Sequence, residues 1–219
     1  MMKKHGFTLA EVLITLAIIG VVATLTLPSL MSNTGEQQAL TAYKKIINTL
    51  TEAGQMNAAI NGFDYASANG AGEGGTVSFN DGNMTLSAIF NDRLQVNHNA
   101  GNGTYQSSVA ADNKCTSLTF TLRDGTGICL TSGGAQAEYY NIYVDTNGPK
   151  GPNRVSTCTN TGCTGGTASK HIFDQFPVVL HGGTAIPGKW SALGTESDDT
   201  ETRAALYAMG ISRQSGSGS

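Results

Sequence analysis

Gly6-Phe7-Thr8-Leu9-Ala10-Glu11-Val12-Leu13-Ile14-Thr15-Leu16-Ala17-Ile18-Ile19-Gly20-Val21-Val22-Ala23-Thr24-Leu25-Thr26-Leu27 decides how the rest of the chain is read. A helix of roughly 20 mostly apolar residues crosses a bilayer core. The run is also longer than the apolar core of a secretory signal, about 7–15 residues, and Val22-Ala23-Thr24 makes a poor cleavage site. The stretch therefore reads as a retained membrane helix. Lys3 and Lys4 stand before it, and positive flanks stay on the cytoplasmic side, which sends the bulk of the chain outward. Glu11 is the one charge within it. A carboxylate at the centre of a membrane helix costs about 2.5–3.5 kcal/mol on insertion scales, and such groups are functional by default. The alternative is that Glu11, about one turn inside the span, snorkels to the headgroups.

Lys3-Lys4-His5-Gly6-Phe7-Thr8-Leu9-Ala10-Glu11 and the apolar run to about Pro28 closely resemble the start of type IV prepilins and type II secretion pseudoprepilins. The resemblance implies a leader over residues 1–6, cut by a membrane peptidase between Gly6 and Phe7, and N-methylation of Phe7. The cut precedes the span, so the helix stays in the mature protein. The resemblance also implies that Glu11 of an incoming subunit faces the Phe7 amine of its neighbour. An unpaired buried charge is costly, so such a pairing would shield both groups and set the axial register. Pilins tend to carry a proline near Pro28, and by resemblance Gly20 to Pro28 is the region expected to soften on assembly. Read from the residues alone, Pro28 ends the membrane helix, since it lacks an N–H and clashes with the Thr24 carbonyl. Gly20 and Thr24 are small enough for close helix approach.

The 219 residues leave roughly 150 for one soluble domain, an ordinary single-domain size. Glycine is abundant, with 28 residues, and charged residues are only 13%, which suits a loop-rich extracellular domain containing β-structure. The formal charge is −3, and loss of Lys3 and Lys4 with the leader takes it to about −5. No basic stripe is present to neutralise phosphates, so nucleic acid is not an expected partner.

Leu40, Tyr43, Ile47, Leu50 and Ala53 recur at helical spacing, with Ile46 beside them and Lys44, Lys45, Asn48 and Glu52 on other faces. The pattern predicts an amphipathic helix over about 36–60 that continues the membrane helix as one spine from Phe7 to about Ile60. Asn61-Gly62 closes it. Residues 66–75 read as a flexible loop. Leu86 to Leu94 reads as a short helix capped by Thr85. Residues 97–111 are polar and irregular, and the β region is expected to begin near Cys115. Leu118, Phe120 and Leu122 alternate with threonines, Asp124-Gly125 turns the chain, and Ile128-Cys129-Leu130 returns it as a hairpin. Tyr139 to Val144 is a third strand, and residues 145–153 carry turn chemistry throughout. Asp198-Asp199-Thr200 to Met209 is a short helix with acid at its positive end. The predicted class is α+β, a long N-terminal spine helix packed on a C-terminal antiparallel sheet. The predicted divisions are a core helix over 7–30, its amphipathic continuation over 31–61, a globular domain over 62–211 and a flexible tail over 212–219.

Thr121 to Gly125, and Tyr143 to Gly148 through Asn153 followed by Phe173-Asp174-Gln175-Phe176, resemble the globular part of many pilin-like proteins. Cys158 to Cys163 and Gly165-Gly166 are interposed here. Outside the cytoplasm four cysteines read as disulfides, with three pairings open. Cys115 and Cys129 flank the hairpin, and Cys158 and Cys163 lie close enough to close a small loop, so Cys115–Cys129 with Cys158–Cys163 is the favoured pairing. His171 lies near Cys163, but the spacing of a zinc finger is absent. Asp145-x-Asn147-Gly148 looks like the opening of a calcium loop without the later acid of an EF-hand. Some pseudopilins bind calcium in a sheet loop, so by resemblance Asp145, Asn147 and Asp174 are candidate calcium ligands, beside the plain turn reading. His98, His171 and His181 form no catalytic arrangement, and no nucleophile elbow or paired catalytic carboxylates appear, so no enzyme is expected.

The expectation is a structural subunit of a type IV pilus or a pilus-like secretion filament. It waits in the bacterial inner membrane, with its N-terminus cytoplasmic, and ends in a periplasmic or cell-surface filament. Its implied partners are the lipid bilayer, prepilin peptidase, an inner-membrane assembly platform, and other copies or other pilins. The rival from another class is a monomeric, membrane-anchored extracytoplasmic binding domain, which would need no processing at Gly6–Phe7.

Overall fold

The computed structural model describes residues 7–68, 86–104, 115, 117–130, 139–148, 150–151, 153–159, 163, 172–191 and 195–211. The leader with Gly6, the Thr85 cap, most of the 66–75 loop, His171 and the tail over 212–219 lie outside the described residues. Helix α1 runs Leu9–Asn61, passing through Gly20 and Pro28, so Pro28 does not end it. The chain divides into two compact units, Met1–Gln38 and Ala39–Ser219.

In the first unit, Leu9–Thr26 is an 18-residue apolar helix with none of its length buried. Phe7 is 89% exposed, and Leu13, Leu16, Ile18 and Ile19 stand open in the same way. The polar atoms of this helix are satisfied locally. The hydroxyls of Thr15 and Thr24 donate to the carbonyls of Val12 and Val21 at 2.9 and 2.8 Å, and that of Thr26 to Val22 at 3.0 Å. Hydrocarbon offers no hydrogen-bond partner, so a threonine folded back on its own helix is the form that lipid tolerates.

The second unit joins the C-terminal part of α1 to a six-stranded antiparallel sheet whose strands lie in chain order. They are β1 Val96–Thr104, β2 Ser117–Leu122, β3 Gly127–Leu130, β4 Tyr139–Asp145, β5 Gln175–His181 and β6 Thr184–Pro187. Helix α2, Leu86–Arg93, precedes the sheet, and α3, Thr200–Met209, follows it. The class is α+β. Two expectations need correction. The stretch over 97–111 was expected to be irregular, yet Val96–Thr104 is a strand, paired with β2 through two register shifts. It has no alternating apolar pattern, because an edge strand is held by backbone hydrogen bonds along one side. Residues 175–181 carried no strand expectation, and a proline is unusual in a central strand. Pro177 nevertheless sits opposite Tyr143 in β5, and its carbonyl accepts from the Tyr43 hydroxyl at 2.7 Å and from Gly188 N at 3.1 Å.

Alternation explains how α1 docks. Phe120 pairs across from Ile128, Ile128 from Val144, Ile142 from Val178, and Tyr140 from Leu180. These side chains share one core with Tyr43, Ile46, Ile47, Leu50 and Ala53 of α1. Tyr43 stacks on Phe176 with ring centroids 4.5 Å apart. The Tyr65 hydroxyl donates to the Leu50 carbonyl at 2.6 Å, so this buried phenol is satisfied. Gly54 is required here: a Cβ at this position would sit 2.6 Å from the Tyr65 ring and 3.1 Å from the backbone carbon of Gly183.

On the opposite face, Cys115, Cys129, Tyr143 and Val155 form a second buried cluster. Helix α3 is held to the sheet by ions as well as by its alanines. Asp199 caps it, accepting from Thr202 N at 2.7 Å, and Gly210 closes it in the left-handed region. Lys189 reaches Asp199 at 2.7 Å and Glu201 at 2.8 Å, and the Tyr143 hydroxyl donates to Glu201. Burial pushes the Asp199 carboxyl up, but Lys189 and the Thr202 N–H together outweigh it and hold the group below its ordinary value. A carboxyl lowered on folding stabilises above its unfolded pKa, and that contribution disappears as pH falls through the folded value. The thermal midpoint is therefore expected to fall on acidification below about pH 4, the ordinary aspartate range. Asp199→Asn keeps a capping side chain and removes the charge, so it should flatten that dependence in a thermal melt series. An unchanged slope would remove Asp199 from the acid response.

Candidate functional site

The first turn of α1 is built by two side chains. Thr8 is the last residue before the helix, and the Glu11 N–H donates to its hydroxyl oxygen at 3.3 Å. Glu11 returns the contact, its Oε2 accepting from Thr8 N and from Thr8 Oγ1, each at 2.8 Å. Threonine at the cap and glutamate three residues on make a capping box, which satisfies orphan N–H groups reciprocally. Thr8 did not figure among the expected site residues, although the Thr-x-x-Glu spacing before an apolar run is its sequence signature. The arrangement gives the lone carboxylate of the span internal donors while leaving it exposed beside Phe7. At Gly20 no atom lies within 4 Å of where a Cβ would stand, so that face of the helix is open.

Residues 1–27 match the family model for the prokaryotic N-terminal methylation motif. This is the signature of type IV pilins and pseudopilins, and it points to a structural protein rather than an enzyme. The match ends at Leu27, and the second unit contributes its own geometry. No curated protein and no solved structure matches the chain. The methylation motif and the apolar helix fit anchoring in the inner membrane before assembly.

The four cysteines are joined as Cys115–Cys129 and Cys158–Cys163, with Cα separations of 5.4 and 4.5 Å. The first ties the segment before β2 to β3 and is buried against Tyr143.

The three calcium candidates lie around one turn, and the two carboxylates accept hydrogen bonds from their own chain. Asp145 is fully buried, with Oδ1 accepting from Asn147 N at 3.3 Å and Oδ2 from the Gln175 amide at 3.0 Å. Asp174 receives Asn153 N and Arg154 N at 2.8 and 2.9 Å. Asn147 Oδ1 is buried without a hydrogen-bond partner. Among the described residues no three His, Cys, Asp or Glu side chains gather closely enough to hold a metal. In this arrangement each carboxylate replaces a backbone acceptor, as in turn construction. Millimolar calcium is accordingly expected to leave the thermal midpoint unchanged. A rise of several degrees that Asp174→Asn abolishes would assign the ion to this turn after all. His181 instead packs on Trp190, with ring centroids 5.0 Å apart, as part of an aromatic group that includes Tyr139.

Proposed function

We propose that the chain is a structural subunit of a type IV pilus or of a pilus-like secretion filament. The peptidase would cut after Gly6 and methylate Phe7, and an inner-membrane platform would then lift the subunit into a bundle of α1 helices. The observation that supports this reading is the match of residues 1–27 to the methylation motif, within which Leu9–Thr26 is an 18-residue apolar helix with none of its length buried. Such a surface needs lipid or other helices. Lipid serves before assembly, and neighbouring copies replace it afterwards, with the small residue at Gly20 admitting close approach. Gly20 to Pro28 is where the helix would loosen in the filament, because Pro28 leaves the Thr24 carbonyl without a donor. Glu11 would exchange its capping bonds to Thr8 for the Phe7 amine of a neighbour. The globular unit would form the filament surface, stabilised by its two disulfides. Mass spectrometry of the mature N-terminus, with immunodetection in sheared surface filaments, tests the proposal. An N-methylated Phe7 terminus within filaments is the expected result. A chain that begins at Met1 and stays wholly in the membrane would leave the anchored binding domain as the better reading.

A further inference from the structure

A groove of about 310 Å³ opens in the second unit where α1, the end of α2 and the β2–β3 turn meet. Small-molecule sites run from about 300 to 1,000 Å³, so this one suits a compact ligand. Its apolar wall is Ile46, Leu94 and Leu122, none more than 6% exposed. Several of its polar groups are committed to the chain. Asp124 holds the Lys45 ammonium at 2.6 Å and accepts from Thr126 N at 3.0 Å. The Thr49 hydroxyl donates back to the Lys45 carbonyl at 3.0 Å. Glu52 and Asp92, exposed on α1 and α2, are not lining residues. Adjacent helix positions such as 92 and 93 do not face each other.

Two guanidinium groups remain. Arg93 is half-buried and aimed by a buried partner, its Nε donating to Asn57 Oδ1 at 3.3 Å. Asn57 has no exposed surface, and it is fixed in turn by the Phe63 carbonyl and the Asn61 amide, each at 2.8 Å. That arrangement uses one donor of Arg93 and leaves its two terminal nitrogens. Arg123 is exposed, and its side chain makes no hydrogen bond or ion pair among the described residues. Its backbone N–H donates to the Gln95 carbonyl at 2.9 Å, which keeps it beside the end of α2. A guanidinium fork binds the paired oxygens of a carboxylate or a phosphate. The aliphatic wall decides between them, because burying hydrocarbon against it is favourable and inorganic phosphate has none to bury.

We propose that this groove binds a small aliphatic carboxylate, with its charge on Arg93 and Arg123 and its hydrocarbon against Ile46, Leu94 and Leu122. The site lies wholly in the second unit, so it stands apart from the filament reading. The test is a ligand-observed NMR titration of the full-length chain in lipid nanodiscs, with N-acetyl-leucine as the probe. Saturable binding in the millimolar range is expected for a ligand of this size. N-acetyl-leucine amide keeps the hydrocarbon without the charge, and inorganic phosphate keeps a charge without the hydrocarbon. Each should bind at least about fivefold more weakly. Arg123→Gln should weaken N-acetyl-leucine at least about threefold, and Arg123→Gln with Arg93→Gln at least about tenfold. If the double variant fails to oxidise its cysteines, the exposed Arg123→Gln carries the test alone. Absence of saturable binding to the wild-type chain overturns the site. Equal binding of the amide, or undiminished binding by the arginine variants, overturns the role of the guanidinium groups and the proposal with it. Phosphate binding as tightly as N-acetyl-leucine overturns the aliphatic carboxylate as the ligand.

Discussion

Glu11→Leu is expected to be cleaved and methylated normally, to insert in the membrane at least as well as wild type, and to be depleted at least tenfold from filaments. The proposed cut site lies between Gly6 and Phe7 and does not include Glu11. Insertion improves because a charge worth about 2.5–3.5 kcal/mol at mid-membrane is gone. The capping bonds are lost as well, since Glu11 Oε2 accepts both from Thr8 N and from Thr8 Oγ1. A capping residue contributes about 0.5–2 kcal/mol, which frays one turn without unfolding a 53-residue helix. Filament loss therefore has to come from the missing partner of the Phe7 amine, because an unpaired buried charge costs several kcal/mol. Thr8→Ala separates the two roles: it removes the hydroxyl and keeps the carboxylate. It should reduce filament incorporation far less than Glu11→Leu does. Equal losses in the two variants would assign Glu11 to capping alone, and wild-type levels of Glu11→Leu in sheared filaments would end the assembly role.

The second large effect is expected from the disulfides, and the two should differ. Cys115–Cys129 spans 14 residues and Cys158–Cys163 spans 5. In the chain-entropy view the stabilisation grows with the logarithm of the closed loop, giving about 3 kcal/mol for the first and about 2 kcal/mol for the second. The burial of Cys129 against Tyr143 adds to the difference, since Tyr143 also holds Glu201 of α3. Cys115→Ala with Cys129→Ala should lower the thermal midpoint by more than Cys158→Ala with Cys163→Ala, and should loosen α3. Thermal melts of the two double variants, with hydrogen exchange read on residues 200–209, check this. A larger loss in the Cys158/Cys163 variant would show that local packing outweighs loop entropy here.

What the sequence determined by itself was whatever short-range periodicity and composition control. The apolar run from Phe7, the heptad-like recurrence of Tyr43, Ile47 and Leu50, and the alternation around Phe120 each state their own period. They placed α1, the β2–β3 hairpin, β4 and α3, and hence the α+β class. The Thr8–Glu11 box is equally legible, at a spacing of three ahead of an apolar run. Tertiary structure alone decided the rest. β1 has no pattern to read because an edge strand is specified by its neighbour's backbone, through the pairing of Val96 with Leu122 and Asn99 with Phe120. β5 admits Pro177 because contacts distant in sequence, from Tyr43 and Gly188, use its carbonyl where its missing N–H is not needed. The Asp145–Asp174 turn resembles an ion loop by spacing. Only folding brings in Gln175, Asn153 and Arg154, which donate hydrogen bonds to these carboxylates.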